Sequence, residues 1–79
     1  MQLNILSPDK TIFKGEAAEV SAPGKTGYLQ ILNKHAPIIS VLNQGTIKYT
    51  PLNQNRQHIN INGGILHTKN NTTTILLTS

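Results

Sequence analysis

The sequence predicts an all-β domain of two packed sheets with no substantial helix. Three observations predict it. β-Branched residues dominate, with ten Ile, nine Thr and two Val among 79 residues, and these types suit a pleated, half-buried surface. Short apolar alternations recur between turn residues at intervals of roughly 8–12 residues, the spacing of sandwiches and barrels. No stretch sustains a helical apolar period, and none opens with a helix start signal.

Leu3 and Ile5 alternate with Asn4 in a first strand. Ser7-Pro8-Asp9-Lys10 closes it, because proline fixes φ and removes a donor. Ile12 and Phe13 begin a second strand, which Lys14-Gly15 is expected to interrupt before Glu16 to Ala22 resumes. Ala22-Pro23-Gly24-Lys25-Thr26-Gly27 reads as a tight, exposed loop. Tyr28 to Leu32 and Ile38 to Leu42 are strands around the turn Asn33-Lys34-His35-Ala36-Pro37. After the turn Asn43-Gln44-Gly45, Thr46 to Thr50 and Gln57 to Asn62 form a hairpin, with Ile47, Tyr49, Ile59 and Ile61 turned to the core. Gly63-Gly64 marks a bulge or a corner between sheets. Ile65 to Lys69 and Thr72 to Leu77 close the chain as a hairpin, and Asn70-Asn71 suits a two-residue turn with positive φ. The count is eight to ten short strands in one domain, residues 1–79.

Composition limits the function. A globule of this length buries roughly 60 % of the surface its extended chain exposes, and 37 % apolar residues suffice for one thin core. No apolar run approaches the ~20 residues of a transmembrane helix. The opening Met1-Gln2-Leu3-Asn4-Ile5 lacks the basic and apolar regions of a signal peptide. With no cysteine, disulfides, thiolate metal sites and thiol nucleophiles are excluded. Seven Lys and Arg against three Asp and Glu give a net charge of +4. The cations are scattered along the chain, so a solvated basic surface is favoured over a dedicated nucleic-acid face. Three aromatics are few for a stacking platform.

Catalytic constellations are missing. Glu16 and Glu19 stand at opposite parity on a strand and face opposite ways, so they are not a carboxylate pair. His58 and His67 are candidate neighbours on adjoining strands, but no third ligand accompanies them. No serine has the strand–turn–helix setting of a nucleophile elbow. Gly24-Lys25-Thr26 copies the tail of a phosphate loop, but position 19 is Glu where the motif needs Gly, and a strand follows where it needs a helix. The residues alone describe a binding or structural module, with no catalytic, cofactor or metal residues.

One stretch is more specific. Gly27-Tyr28-Leu29-Gln30-Ile31-Leu32-Asn33-Lys34-His35-Ala36-Pro37-Ile38-Ile39-Ser40-Val41-Leu42-Asn43-Gln44-Gly45-Thr46-Ile47 resembles the signature of the epsilon subunit family of F-type rotary ATP synthases. Leu3-Asn4-Ile5-Leu6-Ser7-Pro8, Phe13-Lys14-Gly15, Gly63-Gly64-Ile65 and Thr74-Ile75-Leu76-Leu77 extend the resemblance over essentially all 79 residues. Gln30 stands where the family usually has glycine, and Tyr28 where it often has an acidic residue. The family's carboxy-terminal helical pair, which can bind ATP or restrain hydrolysis, has no counterpart in these residues, so neither property is carried over.

The resemblance implies a ten-stranded β-sandwich and a non-catalytic rotor role. The domain would bind the gamma subunit and the membrane ring of c subunits, coupling ion flow to ATP synthesis from the cytoplasmic face of a bacterial inner membrane. Carried over by position, Ser7, His35, Pro37 and Ser40 belong to the gamma side, and Lys25, Thr26, Gly27 and Tyr28 to a tip facing the c ring. His35 also suits a local role, fixing the His-Ala-Pro corner. The alternative is a free-standing basic β-domain that binds nucleic acid.

Overall fold

The computed structural model describes all of residues 1–79. Eight strands form and no helix: β1 (Gln2–Leu6), β2 (Thr11–Gly24), β3 (Gly27–Leu32), β4 (Ile38–Leu42), β5 (Gly45–Pro51), β6 (Gln57–Ile61), β7 (Gly64–Lys69) and β8 (Thr72–Leu77). Gly15 does not interrupt the second strand. It pairs with Leu3 of β1, and the two segments expected there run together as the 14-residue β2. The strand also continues through Pro23, which stands opposite Tyr28 of β3, so the expected six-residue loop shrinks to the turn Lys25-Thr26.

β2 organises the domain. At ~3.3 Å per residue its contour is roughly 46 Å, well beyond the longest dimension of the molecule, 27 Å. It must therefore bend. The bend is a register slip between Ala17 and Glu19, where an extra residue kinks the strand. Before it, β2 pairs antiparallel with β1. After it, β2 lies between β3 and β5, with Val20 opposite both Ile31 and Tyr49. β1 pairs parallel with β8, β8 with β7 and β7 with β4. β4 then meets the end of β2 at Gly24 and Leu42, so these five strands form a closed circuit, and β5 carries β6 on its far side.

Strand alternation sends one side of every strand inward. Thirteen residues make a single core, among them Leu3, Ile5, Val20, Ile31, Ile47, Leu66 and Ile75, each no more than 1 % exposed. Burying a side chain of this size contributes roughly 1.5–3 kcal/mol. Phe13 and Tyr49 pack with ring centroids 4.9 Å apart, and burial pushes the Tyr49 hydroxyl above its ordinary pKa. Thr68 and Thr73, the buried polar pair, bond to each other through their hydroxyls at 2.8 Å, so no buried side-chain polar atom lacks a partner. This matters in a small core, since an unmet buried hydroxyl costs about 1–3 kcal/mol.

The turns follow their chemistry. Asn70 and Asn71 both adopt positive φ, 53° and 58°, as a tight β7–β8 hairpin requires. Gly63-Gly64 is the expected corner, leading from β6 to the unpaired neighbour β7. A Cβ on Gly64 would lie 2.4 Å from the Leu76 carbonyl oxygen, so the close approach of β7 to β8 needs glycine there. His58 and His67 are not neighbours. His58 stands opposite Lys48 on the β5–β6 ribbon, while His67 stands between Ile39 and Thr74.

Candidate docking surfaces

The Lys25-Thr26 turn is a projecting tip. Gly27 sits at φ 138°, a region closed to most side chains, and starts β3 directly after the turn, paired with Gly24. All four tip residues, Lys25 to Tyr28, are exposed. The tip is braced from the neighbouring turn. The Asn43 amide N–H donates to the Pro23 carbonyl at 2.8 Å, Asn43 Nδ2 donates to the Gly24 carbonyl at 3.4 Å, and the Thr46 amide N–H donates to the Tyr28 hydroxyl at 3.4 Å.

A second surface is the outward side of the sheet β4-β7-β8-β1. Pairing puts Val41 opposite Ile65, Ile65 opposite Leu76 and Leu76 opposite Leu6, making an apolar row across four strands. Val41, Ile65 and Leu76 are each about half exposed, and Ile39, beside the row on β4, is 71 % exposed. Single exposed apolar residues are ordinary, but a contiguous set marks an interaction site. The 33–37 turn borders this face. Lys34 takes positive φ, 61°, and its amide donates to Asn71 Oδ1 at 2.7 Å. The His35 ring bonds the Ala36 carbonyl through Nδ1 at 2.7 Å, which fixes the imidazole against the corner before Pro37.

The outward side of β3-β2-β5-β6 is mainly polar, with Leu32 standing exposed beside Glu19. Gln30, Glu19, Ser21, Thr50, Lys48 and His58 cover it. Glu19 accepts from Gln30 Nε2 at 3.0 Å and from Arg56 Nη2 at 3.2 Å. The Gln30 hydrogen bond, with Arg56 adding to it, holds the carboxyl below its ordinary pKa against partial desolvation. At the end of the β5–β6 ribbon, Asn53, Gln54, Asn55 and Gln57 line a shallow hollow with no apolar wall. No three His, Asp or Glu side chains converge in a manner that suits a metal ion.

Comparison with known proteins gives these surfaces a context. The model of the ATP synthase, Delta/Epsilon chain, beta-sandwich domain matches residues 1–79. The chain belongs to this family. It is similar to the ATP synthase epsilon chain of Nostoc, at 38 % identity over 78 residues, covering 98 % of this chain and 57 % of that protein. The epsilon chain of Leptospira borgpetersenii is 32 % identical over 76 residues, covering 96 % and 59 %. That of Bordetella petrii is 37 % identical over 76 residues, covering 96 % and 54 %. The chain thus spans little more than half the length of these curated relatives.

Two solved structures share the fold. A chain of the Euglena gracilis mitochondrial ATP synthase, OSCP/F1/c-ring, superposes with a TM-score of 0.90 at 20 % identity, covering 98 % of this chain and 49 % of that one. A chain of the Tetrahymena thermophila mitochondrial ATP synthase central stalk/c-ring gives 0.82 at 22 % identity, covering 100 % and 63 %.

The delta/epsilon fold distributes the site residues expected from the sequence unevenly. Lys25, Thr26, Gly27 and Tyr28 come together at one tip. Ser7, His35, Pro37 and Ser40 do not form one cluster. Ser7 follows Leu6 at one end of the apolar row and is held in its own turn, donating to Asp9 and to the Lys10 carbonyl. His35 and Pro37 lie at the opposite end of β4. Ser40 pairs with Leu66, a fully buried residue, so its side chain takes the inner side. Between these points lie Ile39, Val41, Ile65 and Leu76, which sequence reasoning missed. A signal was present. Ile38-Ile39-Ser40-Val41-Leu42 is apolar at both parities, and so are Ile65-Leu66 and Leu76-Leu77. A strand apolar on both sides has a second face to cover.

Proposed function

We propose that this domain is a non-catalytic rotor module of a bacterial ATP synthase. In this reading it docks on the gamma subunit through the outer face of β4, β7, β8 and β1, and touches the c ring with its tip. The observation that carries it is the outward apolar row of exposed Val41, Ile65 and Leu76 with half-buried Leu6 in a chain of the delta/epsilon family. Ser7 borders the row at one end, and His35 and Pro37 border the docking face at the other. Ser40 acts by setting Ile39 and Val41 outward on either side of it. Lys25, Thr26, Gly27 and Tyr28 meet the loops of the c ring, where Tyr28 offers a braced aromatic ring in place of a charge. The network then works as two leaves sharing β2, and a count of ten strands needs two more short segments than the eight present. The module sits on the cytoplasmic face of the inner membrane, linking ion flow to ATP synthesis by transmitting rotation.

The supporting chemistry is consistent. The cations are divided among both faces and the turns, which disfavours a nucleic-acid surface. Native mass spectrometry of the protein mixed with its cognate gamma subunit, with an oligonucleotide as control, tests the reading. A one-to-one complex with gamma alone is expected. Binding to the oligonucleotide in place of gamma would overturn it.

A further inference from the structure

The docking face is graded along its strands. Successive outward rows stand two residues apart, roughly 7 Å. The first row, Val41, Ile65, Leu76 and Leu6, is wholly apolar. The second runs Ile39, His67, Thr74, Asn4 and Lys14 by direct pairing across five strands. The third contains Lys69, Thr72, Gln2 and Glu16. Polarity therefore rises in one direction, away from the row that ends at Leu6, and the lysines of these strands, Lys14 and Lys69, stand on the second and third rows and not on the first.

Lys14 and Lys69 are exposed and neither joins an ion pair. The two ion pairs of the molecule are Met1 amino with Glu16 at 3.5 Å and Arg56 with Glu19 at 3.2 Å. Glu16 is the one carboxylate on this face, and it is already engaged. The lysines are thus free to meet charges from outside.

We propose that the surface of gamma that docks here is amphipathic in the same order, with an apolar ridge over Val41, Ile65 and Leu76 and carboxylates over Lys14 and Lys69. This deepens the docking reading above and rests on it. Apolar contact supplies affinity but little orientation, because a flat apolar row accepts a partner in either sense. Charges to one side of the row select one sense, since the reversed partner would bury its carboxylates against Leu76 and Ile65. A rotor joint that must hold one angular setting needs that selection.

The experiment is the dissociation constant of the 79-residue chain for cognate gamma, measured by calorimetry from 50 to 500 mM NaCl. The wild type is expected to weaken by about tenfold over this range as the charges are screened. The double variant Lys14→Gln/Lys69→Gln is expected to bind more weakly at 50 mM and to lose most of the salt slope. Ile65→Ser is expected to weaken binding at every salt concentration while keeping the wild-type slope. Lys48→Gln/Arg56→Gln, on the opposite face, is expected to leave both unchanged. A salt-independent wild type, or a Lys14/Lys69 variant with the full slope, would overturn the inference while the docking reading stands. No complex at 50 mM NaCl would overturn the docking reading and this inference with it.

Discussion

The two outer faces of this domain cover the same core and solve different problems. On β3-β2-β5-β6, the outward residues are mostly amides, hydroxyls and charged or imidazole groups, with Leu32 as an isolated exposed apolar residue, and Glu19 of β2 gathers Gln30 of β3 and Arg56 of the β5–β6 loop. On β4-β7-β8-β1, the outward residues include Ile39, Val41, Ile65 and Leu76, all about half exposed or more. The inner sides of both are mainly apolar, with the bonded Thr68–Thr73 hydroxyl pair beneath β7 and β8. Folding alone needs only those inner sides, so the apolar outer row is explained by something other than the fold of this chain. The contrast separates two parities of the same strands, one that builds the core and one that the core does not use.

The sharpest way to break the comparison is to remove what both faces share. Leu66→Ala, beneath the apolar face and fully buried, is expected to cost about 2–5 kcal/mol. In a domain this small most of the stability would go, and urea denaturation checks it. The next largest effect separates the faces. Ile65→Glu is expected to weaken gamma binding by at least about thirtyfold, or roughly 2 kcal/mol, while His58→Glu on the polar face changes it less than about twofold. Melting temperatures of both variants should stay within a few degrees of the wild type, and similar losses of gamma affinity would erase the distinction. Tyr28→Ala tests a third surface. It should leave gamma affinity unchanged and reduce the ATP made per transported ion in the assembled enzyme.

The smallest effect sharpens the polar face. Arg56→Ala is expected to cost about 0.2–1 kcal/mol, as exposed ion pairs do. Because Glu19 is held below its ordinary pKa of 4.5, its contribution is present at neutral pH and above 4.5. It is lost as pH falls through the lowered folded value. Stability curves from pH 7 to pH 2 should therefore show a shallower acid limb in Glu19→Gln than in the wild type. An identical limb would mean that the Gln30 and Arg56 contacts carry no net stability.

Much of the fold was legible from local chemistry. Asn70-Asn71 announced its hairpin because few residues tolerate positive φ, and Ile47 opposite Ile59 followed from two-residue alternation. Other features needed the third dimension. Gly15 and Pro23 are breakers in most contexts, yet both lie in β2, because pairing with Leu3 and Tyr28 outweighs local preference. The strand count fell accordingly. The tip was legible in outline, since Pro23, Gly24 and Gly27 announced a loop, although Pro23 and Gly24 joined β2 and left Lys25-Thr26 as the turn. The proposed docking face was not, because an apolar row across four strands exists only once register is set. Ser40, assigned to the gamma side by resemblance, lies on the inner parity of β4, half-buried between the exposed Ile39 and Val41.

β2 has a mechanical consequence. It is one unbroken polypeptide from Thr11 to Gly24, running from its pairing with β1, past the kink at Ala18, to the tip. A pull applied at Lys25 enters that backbone as tension along covalent bonds. It is shed into β1, β5 and β3 through hydrogen bonds loaded in shear, several at once. Had Gly15 or Pro23 ended the strand, the same pull would have peeled a hairpin open one bond at a time. Load entering at the tip is thus shared along β2 as far as β1, whereas β3 and β6, each paired on one side only, have no second neighbour to share it.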